Sequence, residues 1–291
     1  MATIAHPPRA EQTPSTTLDT WSAHLQAALS GPLDLPPLSP ASAAIAAMAA
    51  DGNANAAVLA QLVHRDPTVA AHVLRVANSA AFAPRAPVVT MQQAIAWLGM
   101  GEIQSIATAI AVRSQLFAGA GREKLLNMMW QTAIATACWA REIARARRTG
   151  VELAHLCGLL HRLGRPVVLR CLAQISTGER SRLTAVERTY LIEQYEQRAG
   201  IALSNAWKLP EPVSTTIEHW RDEDYEGPWR LQVQQVRLAE LLAARMLEQS
   251  LDPSQQESLQ RAYDALNLYP EDVEALEARG ESVQKALAAL G

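Results

Sequence analysis

Apolar residues along this chain recur at helical spacing, and proline, glycine and capping residues cut the pattern at short intervals. A first helix is predicted over residues 18–29, ending at Gly31. The stretch from Pro32 to Pro40 must be extended, because each proline turns its predecessor away from helix. Ser39 before Pro40 and Asp66 before Pro67 each pair an N-cap with a first-turn proline. Asp51 and Gly52 close one helix, Asn55 caps the next, and the helix from Pro67 runs to about residue 80. Thr90 with Gln93, and Thr184 with Glu187, have capping-box spacing. Gly99 ends the helix that follows Thr90, and Gly101 separates it from another reaching Phe117.

Beyond the glycines at 119 and 121 the pattern restarts with a long helix over residues 123–147, then shorter ones over 151–162 and 166–175. The helix opened at Thr184 runs to about residue 198 and continues from Gly200 to Trp207, where Leu209 and Pro210 break it. Pro212 starts the next, Pro228 precedes a helix of roughly 20 residues, and Pro253 and Pro270 begin the last two helical units. No strand pattern persists, so the fold class is all-α with short connections. The punctuation divides the chain into a polar, proline-containing disordered lead (1–15), an N-terminal helical subdomain (16–120), a second helical subdomain (121–228) and a C-terminal helical extension (229–291).

Composition agrees with close helix packing: 49% of residues are hydrophobic and alanine is frequent, whereas Phe occurs twice and Tyr five times. A formal charge of -3 and a pI near 6.2 give no global attraction to nucleic acid or anionic lipid. Cys138, Cys157 and Cys171 stand in apolar helical contexts without metal-ligand spacing, as reduced core thiols. No apolar run is long enough for membrane insertion and no signal-peptide core opens the chain, which places it in the cytoplasm. Arg141, Arg145, Arg147 and Arg148 complement the C-terminal dipole of the long helix and read as a solvated end rather than a nucleic-acid site. The tryptophans Trp97, Trp130, Trp139, Trp207 and Trp220 fall at core-like positions, while Trp229 beside Pro228 reads as exposed. Cys157 shares a helix face with His161 but is flanked by leucines, which makes it buried and inert.

Several stretches, in order, resemble one family. They are Leu35-Pro-Pro-Leu38, Leu62-Val-His-Arg-Asp-Pro67, Val73-Leu-Arg-Val-Ala-Asn-Ser79 and Gln93-Ala-Ile-Ala-Trp-Leu-Gly99. Trp130 with Ala133 and Ala137, Gly158-Leu-Leu-His-Arg-Leu-Gly164, and Ala206-Trp-Lys-Leu-Pro210 before Ile217-Glu-His219 continue the series. Together, over about residues 30–225, they look like the HDOD domain, the HD-related output domain of bacterial signalling proteins. That resemblance implies a multi-helix fold related to the metal-dependent phosphohydrolases of the HD superfamily.

In such a hydrolase a His-Asp pair would precede the same Leu-Gly, and its carboxylate and imidazoles would hold a divalent cation. Here the pair reads His161-Arg162, and an arginine has no lone pair to give. Carried over one by one, the vestigial positions are Thr132, His161, Arg162, Glu196, His219 and Glu240. The resemblance therefore implies no catalytic residues, no metal, no cofactor and no enzyme, but a regulator that binds signalling proteins. Two alternatives stay open: a weak metal-dependent phosphohydrolase or phosphodiesterase, and a nucleotide or anion sensor without turnover that uses His161, Arg162 and Arg165. Against the sensor stands pairing of these arginines with Glu193, Glu196 or Glu240.

Overall fold

The computed structural model of the chain describes residues 16–31, 40–51, 55–117, 123–175, 183–248 and 251–290. Among them every regular element is a helix. The predicted extended segment at 32–39, the Ser39 cap and the glycines at 119 and 121 lie outside the described residues.

The first half contains α1 (Thr16–Ser30), α2 (Pro40–Asp51), α3 (Ala56–His64), α4 (Pro67–Ala77), α5 (Met91–Leu98) and α6 (Met100–Leu116). Their starts follow the caps. The Asn55 carboxamide oxygen accepts from the backbone N–H groups of Ala57 at 2.9 Å and Val58 at 3.3 Å. The Asp66 carboxylate accepts from the Val69 N–H at 3.2 Å, and Thr90 with Gln93 closes both halves of a capping box. Past the end of α4, Asn78 donates to the carbonyls of Leu74 and Val88, both at 2.8 Å, and accepts from the Val88 N–H at 2.8 Å. One carboxamide thus ties the loop before α5 to α4. Helix α4 ends at Ala77, three residues short of the sequence expectation: the Asn78 N–H still bonds the Leu74 carbonyl at 3.1 Å, and the next amide, of Ser79, bonds Val76 instead.

Gly101 does not separate two helices. It sits in the first turn of α6, and Gly99 alone makes the 117° corner between α5 and α6, at a φ of 83° that favours glycine. From Ile103 to Val112, α6 is buried throughout, packed on α2, α4 and α5 and also on α8. Among the described residues no single helix is long and apolar enough to cross a membrane.

The second half is built on α7 (Glu123–Ala146), which packs against α8 (Val151–Leu160), α12 (Arg230–Glu248) and α15 (Gly280–Leu290). Between α8 and α12 run α9 (Gly164–Gln174), α10 (Ala185–Trp207) and α11 (Glu211–His219). Helix α10 is continuous through Gly200, with a capping box at Thr184. After α12 come α13 (Pro253–Ala265) and α14 (Pro270–Glu277); the unit predicted from Pro270 divides at Ala278 and Arg279 into α14 and α15. The carbonyl of Leu290 accepts from Trp130 Nε1 at 3.1 Å and from Arg113 at 3.2 Å, which fastens α15 across α6 and α7.

Candidate functional site at the turn between α8 and α9

Two glycines bring the site together. A Cβ on Gly158 would meet the Cα of Ala137 at 2.9 Å, so its absence lets α8 lie directly on α7. A Cβ on Gly164 would meet the carbonyl oxygen of Glu196 at 1.7 Å, so α9 touches the backbone of α10. Consequently the turn carrying His161 and Arg162 is pressed between α7, which carries Thr132, and α10, which carries Glu196.

His161 caps α8 and is 2% exposed. Its Nδ1 lies 2.7 Å from the Gly158 carbonyl, which fixes the proton on Nδ1 and leaves Nε2 with a free lone pair. Burial, reinforced by the neighbouring Arg162 charge, pushes its pKa down to about 3, so the ring is neutral.

Arg162 pairs with Glu240 of α12, and its other terminal nitrogen lies 3.5 Å from Glu196 Oε2. Arg165 Nε lies 2.9 Å from the same oxygen but is not aligned for a hydrogen bond, and its terminal nitrogen is 3.9 Å from Glu193. The other Glu196 oxygen accepts from Arg221. The Arg162 and Arg221 guanidiniums each lie over the ring of Trp220, 4.9 Å from its centroid, and that ring stands edge-on to His161 at 5.1 Å. Sequence reasoning placed Trp220 in the core without a role and overlooked Arg221. The signal was the cationic residue directly after Trp220 at a helix end.

Thr132 lines one small cavity with His161, Arg162 and Arg165, while its hydroxyl donates back to the Met128 carbonyl at 3.1 Å. His219 is turned aside. Its Nδ1 pairs with Asp222 at 2.8 Å and its ring stacks on Tyr225 at 4.3 Å. Thus Thr132, His161, Arg162, Glu196 and Glu240 come together, and Trp220 rather than its neighbour His219 faces them.

These residues do not fit a metal. His161 offers a single lone pair, Glu196 and Glu240 are bound by arginines, and three guanidiniums surround the position. Among the described residues no group of three His, Cys, Asp or Glu side chains is placed to hold a cation. Nor does the trio His161, Arg162 and Arg165 form an anion pocket. Both arginines are engaged by carboxylates, and the cavity beside them, about 10 Å³, has room for one water at most.

Two other surface readings change. Arg141 is buried, not solvated, and one of its terminal nitrogens donates to both carboxylate oxygens of Glu102 of α6 at 2.6 Å. Trp97 is 46% exposed and lines a surface groove with Pro84 and Pro87 rather than filling the core. Trp229 is 38% exposed. Cys138, Cys157 and Cys171 are free and buried, and burial raises the Cys157 thiol to about 12, far from a reactive thiolate.

The model of the HDOD domain matches residues 35–223, about two thirds of the chain and all of this site except Glu240. The chain belongs to the HDOD domain family. Its fold is similar to that of an HDOD domain protein with unknown function from Geobacter sulfurreducens, at a TM-score of 0.66 and 19% identity, covering 94% of this chain and 98% of that one. A Shewanella amazonensis SB2B protein, named a "putative metal-dependent phosphohydrolase", superposes at a TM-score of 0.71 with 21% identity over 95% of this chain and 100% of its own. An uncharacterized protein of Treponema pallidum (strain Nichols) is 28% identical over 170 residues, 54% of this chain. The chain spans about a third of that relative's length. In this HDOD domain the family's helical frame is kept, and its centre is closed by arginine–carboxylate pairs.

Proposed function

We propose that this HDOD protein is a non-enzymatic signal-transduction module that acts by binding a partner protein. One observation carries the reading: Arg162 stands where a metal-binding aspartate would precede Leu163 and Gly164, paired to Glu240 and beside Glu196. A guanidinium cannot generate a nucleophilic hydroxide, and it repels the cation that would. Membership of a family of signalling output domains supports the regulatory role, since the same helical frame serves without chemistry when its surfaces carry the function.

The test is the metal content of protein purified without chelator and supplied with manganese or iron, with the same sample assayed against cyclic dinucleotides and a generic phosphodiester. The expected outcome is no stoichiometric metal and no turnover. Stoichiometric metal together with turnover that disappears in a folded His161→Ala variant would establish a hydrolase instead.

A further inference from the structure

Helices α13 and α14 meet at a turn shaped by Asn267, whose backbone adopts a left-handed φ of 49°. The Leu268 N–H donates back to the Tyr263 carbonyl at 3.1 Å, and Asp272 accepts from the Tyr269 N–H at 3.1 Å. These bonds hold the turn that borders a surface groove of about 750 Å³. Tyr263, Leu268 and Val273 supply apolar lining, and Tyr269 stands at the groove 69% exposed. An aromatic side chain left this open beside a groove that needs no reordering is a natural anchor for a partner.

Charge decides which partner. Asp264, Glu274 and Glu277 line the groove, and among the described residues no Lys, Arg or His does so. Glu277 is already engaged: it accepts from the Tyr263 hydroxyl at 3.0 Å and pairs with Arg245 of α12 at 2.9 Å. Asp264 and Glu274 are exposed and give the groove its negative charge. The imbalance extends beyond it: residues 251–290 carry eight acidic and three basic side chains, a formal charge of -5 where the whole chain has -3. Such a surface repels nucleic acid and anionic lipid and attracts cations. A guanidinium or ammonium group can pair with either carboxylate or lie on the Tyr269 ring, with an apolar neighbour seated on Leu268 and Val273.

We infer that the α13–α14 groove is the docking surface for a basic segment of a partner protein, one that carries Arg or Lys beside an apolar residue. This rests on the partner-binding reading and gives it a surface beyond the residues that the family model matches. Complementary charge speeds encounter and sets specificity, so binding weakens as salt rises.

The test is titration of the full chain with a fluorescein-labelled peptide of arginine and leucine spaced by serine, with a glutamate-for-arginine peptide as control. Saturable binding of the arginine peptide alone is expected. It should weaken about tenfold in Asp264→Asn with Glu274→Gln, and also in Tyr269→Ala, all at exposed positions. Glu257→Gln with Glu281→Gln removes the same charge outside the groove and should leave binding unchanged. No binding, or equal weakening in both charge variants, would overturn the groove alone and leave the non-enzymatic reading standing. So would a chain that sediments as a dimer until the groove is mutated, because a second copy would then be the occupant. Stoichiometric metal with turnover would instead overturn the non-enzymatic reading.

Discussion

Glu196, 3% exposed, faces Arg162, Arg165 and Arg221, and this asymmetry sets what each substitution should do. Glu196→Ala leaves three cations without their shared anion and should lower unfolding stability by about 3 kcal/mol, measured by urea denaturation. Arg221→Ala should cost about 1 kcal/mol or less, because that side chain is 45% exposed and its charge is screened by solvent. A second expectation concerns protons. His155 and His161 are buried, and burial, aided by nearby arginines, lowers both to about 3. Unfolded, they titrate near 6.5. As pH falls the unfolded chain therefore takes up protons that the folded chain refuses. The stability from these neutral rings is complete above 6.5 and is lost progressively toward 3. Each histidine should add a slope approaching 1.4 kcal/mol per pH unit, so urea titrations between about pH 6 and pH 5 should flatten in His155→Leu and in His161→Phe. An unchanged slope would mean that these rings are accessible to protons in the native state.

At the scale of elements, the site exists because α9 and α10 touch through glycine. Gly164→Ala would drive a Cβ into the Glu196 carbonyl and the Gly200 amide, which belong to backbone and cannot swing aside. A loss of about 3 kcal/mol or more is expected by thermal unfolding. Gly101→Ala is the control: its Cβ would meet only the carboxylate end of Glu152, a flexible side chain. Because Gly101 lies within α6, alanine there should be neutral or stabilising by up to about 1 kcal/mol. Element boundaries were the most legible part of the sequence, since caps at Asn55, Asp66, Thr90 and Thr184 act within three residues of their targets. Where reading failed, a distant contact competed. Just past the end of α4 the Asn78 carboxamide is bonded to the backbone of Val88, ten residues on, and Trp97 lines a groove with residues 84–88.

Across the whole molecule, the last helix binds both halves. Val283, Ala286 and Leu290 are buried, and the Leu290 carbonyl receives hydrogen bonds from Arg113 of α6 and Trp130 of α7. Truncation after Arg279 should therefore destabilise the whole chain by about 4 kcal/mol and change the fluorescence of Trp130. Unchanged denaturation of the truncated protein would show that α15 is an independent appendage. The sequence by itself determined the helical class, the punctuation and the presence at position 162 of a side chain with no lone pair to give a metal, because these follow from local backbone preference and from the chemistry of one side chain. Only the tertiary structure decided what Arg162 does. Its partners stand 34 and 78 residues further along on α10 and α12, and Arg221 and Trp220 enter from beyond α11. A charge can be read from its letter, but its pairing depends on which helices close packing brings within a few ångströms.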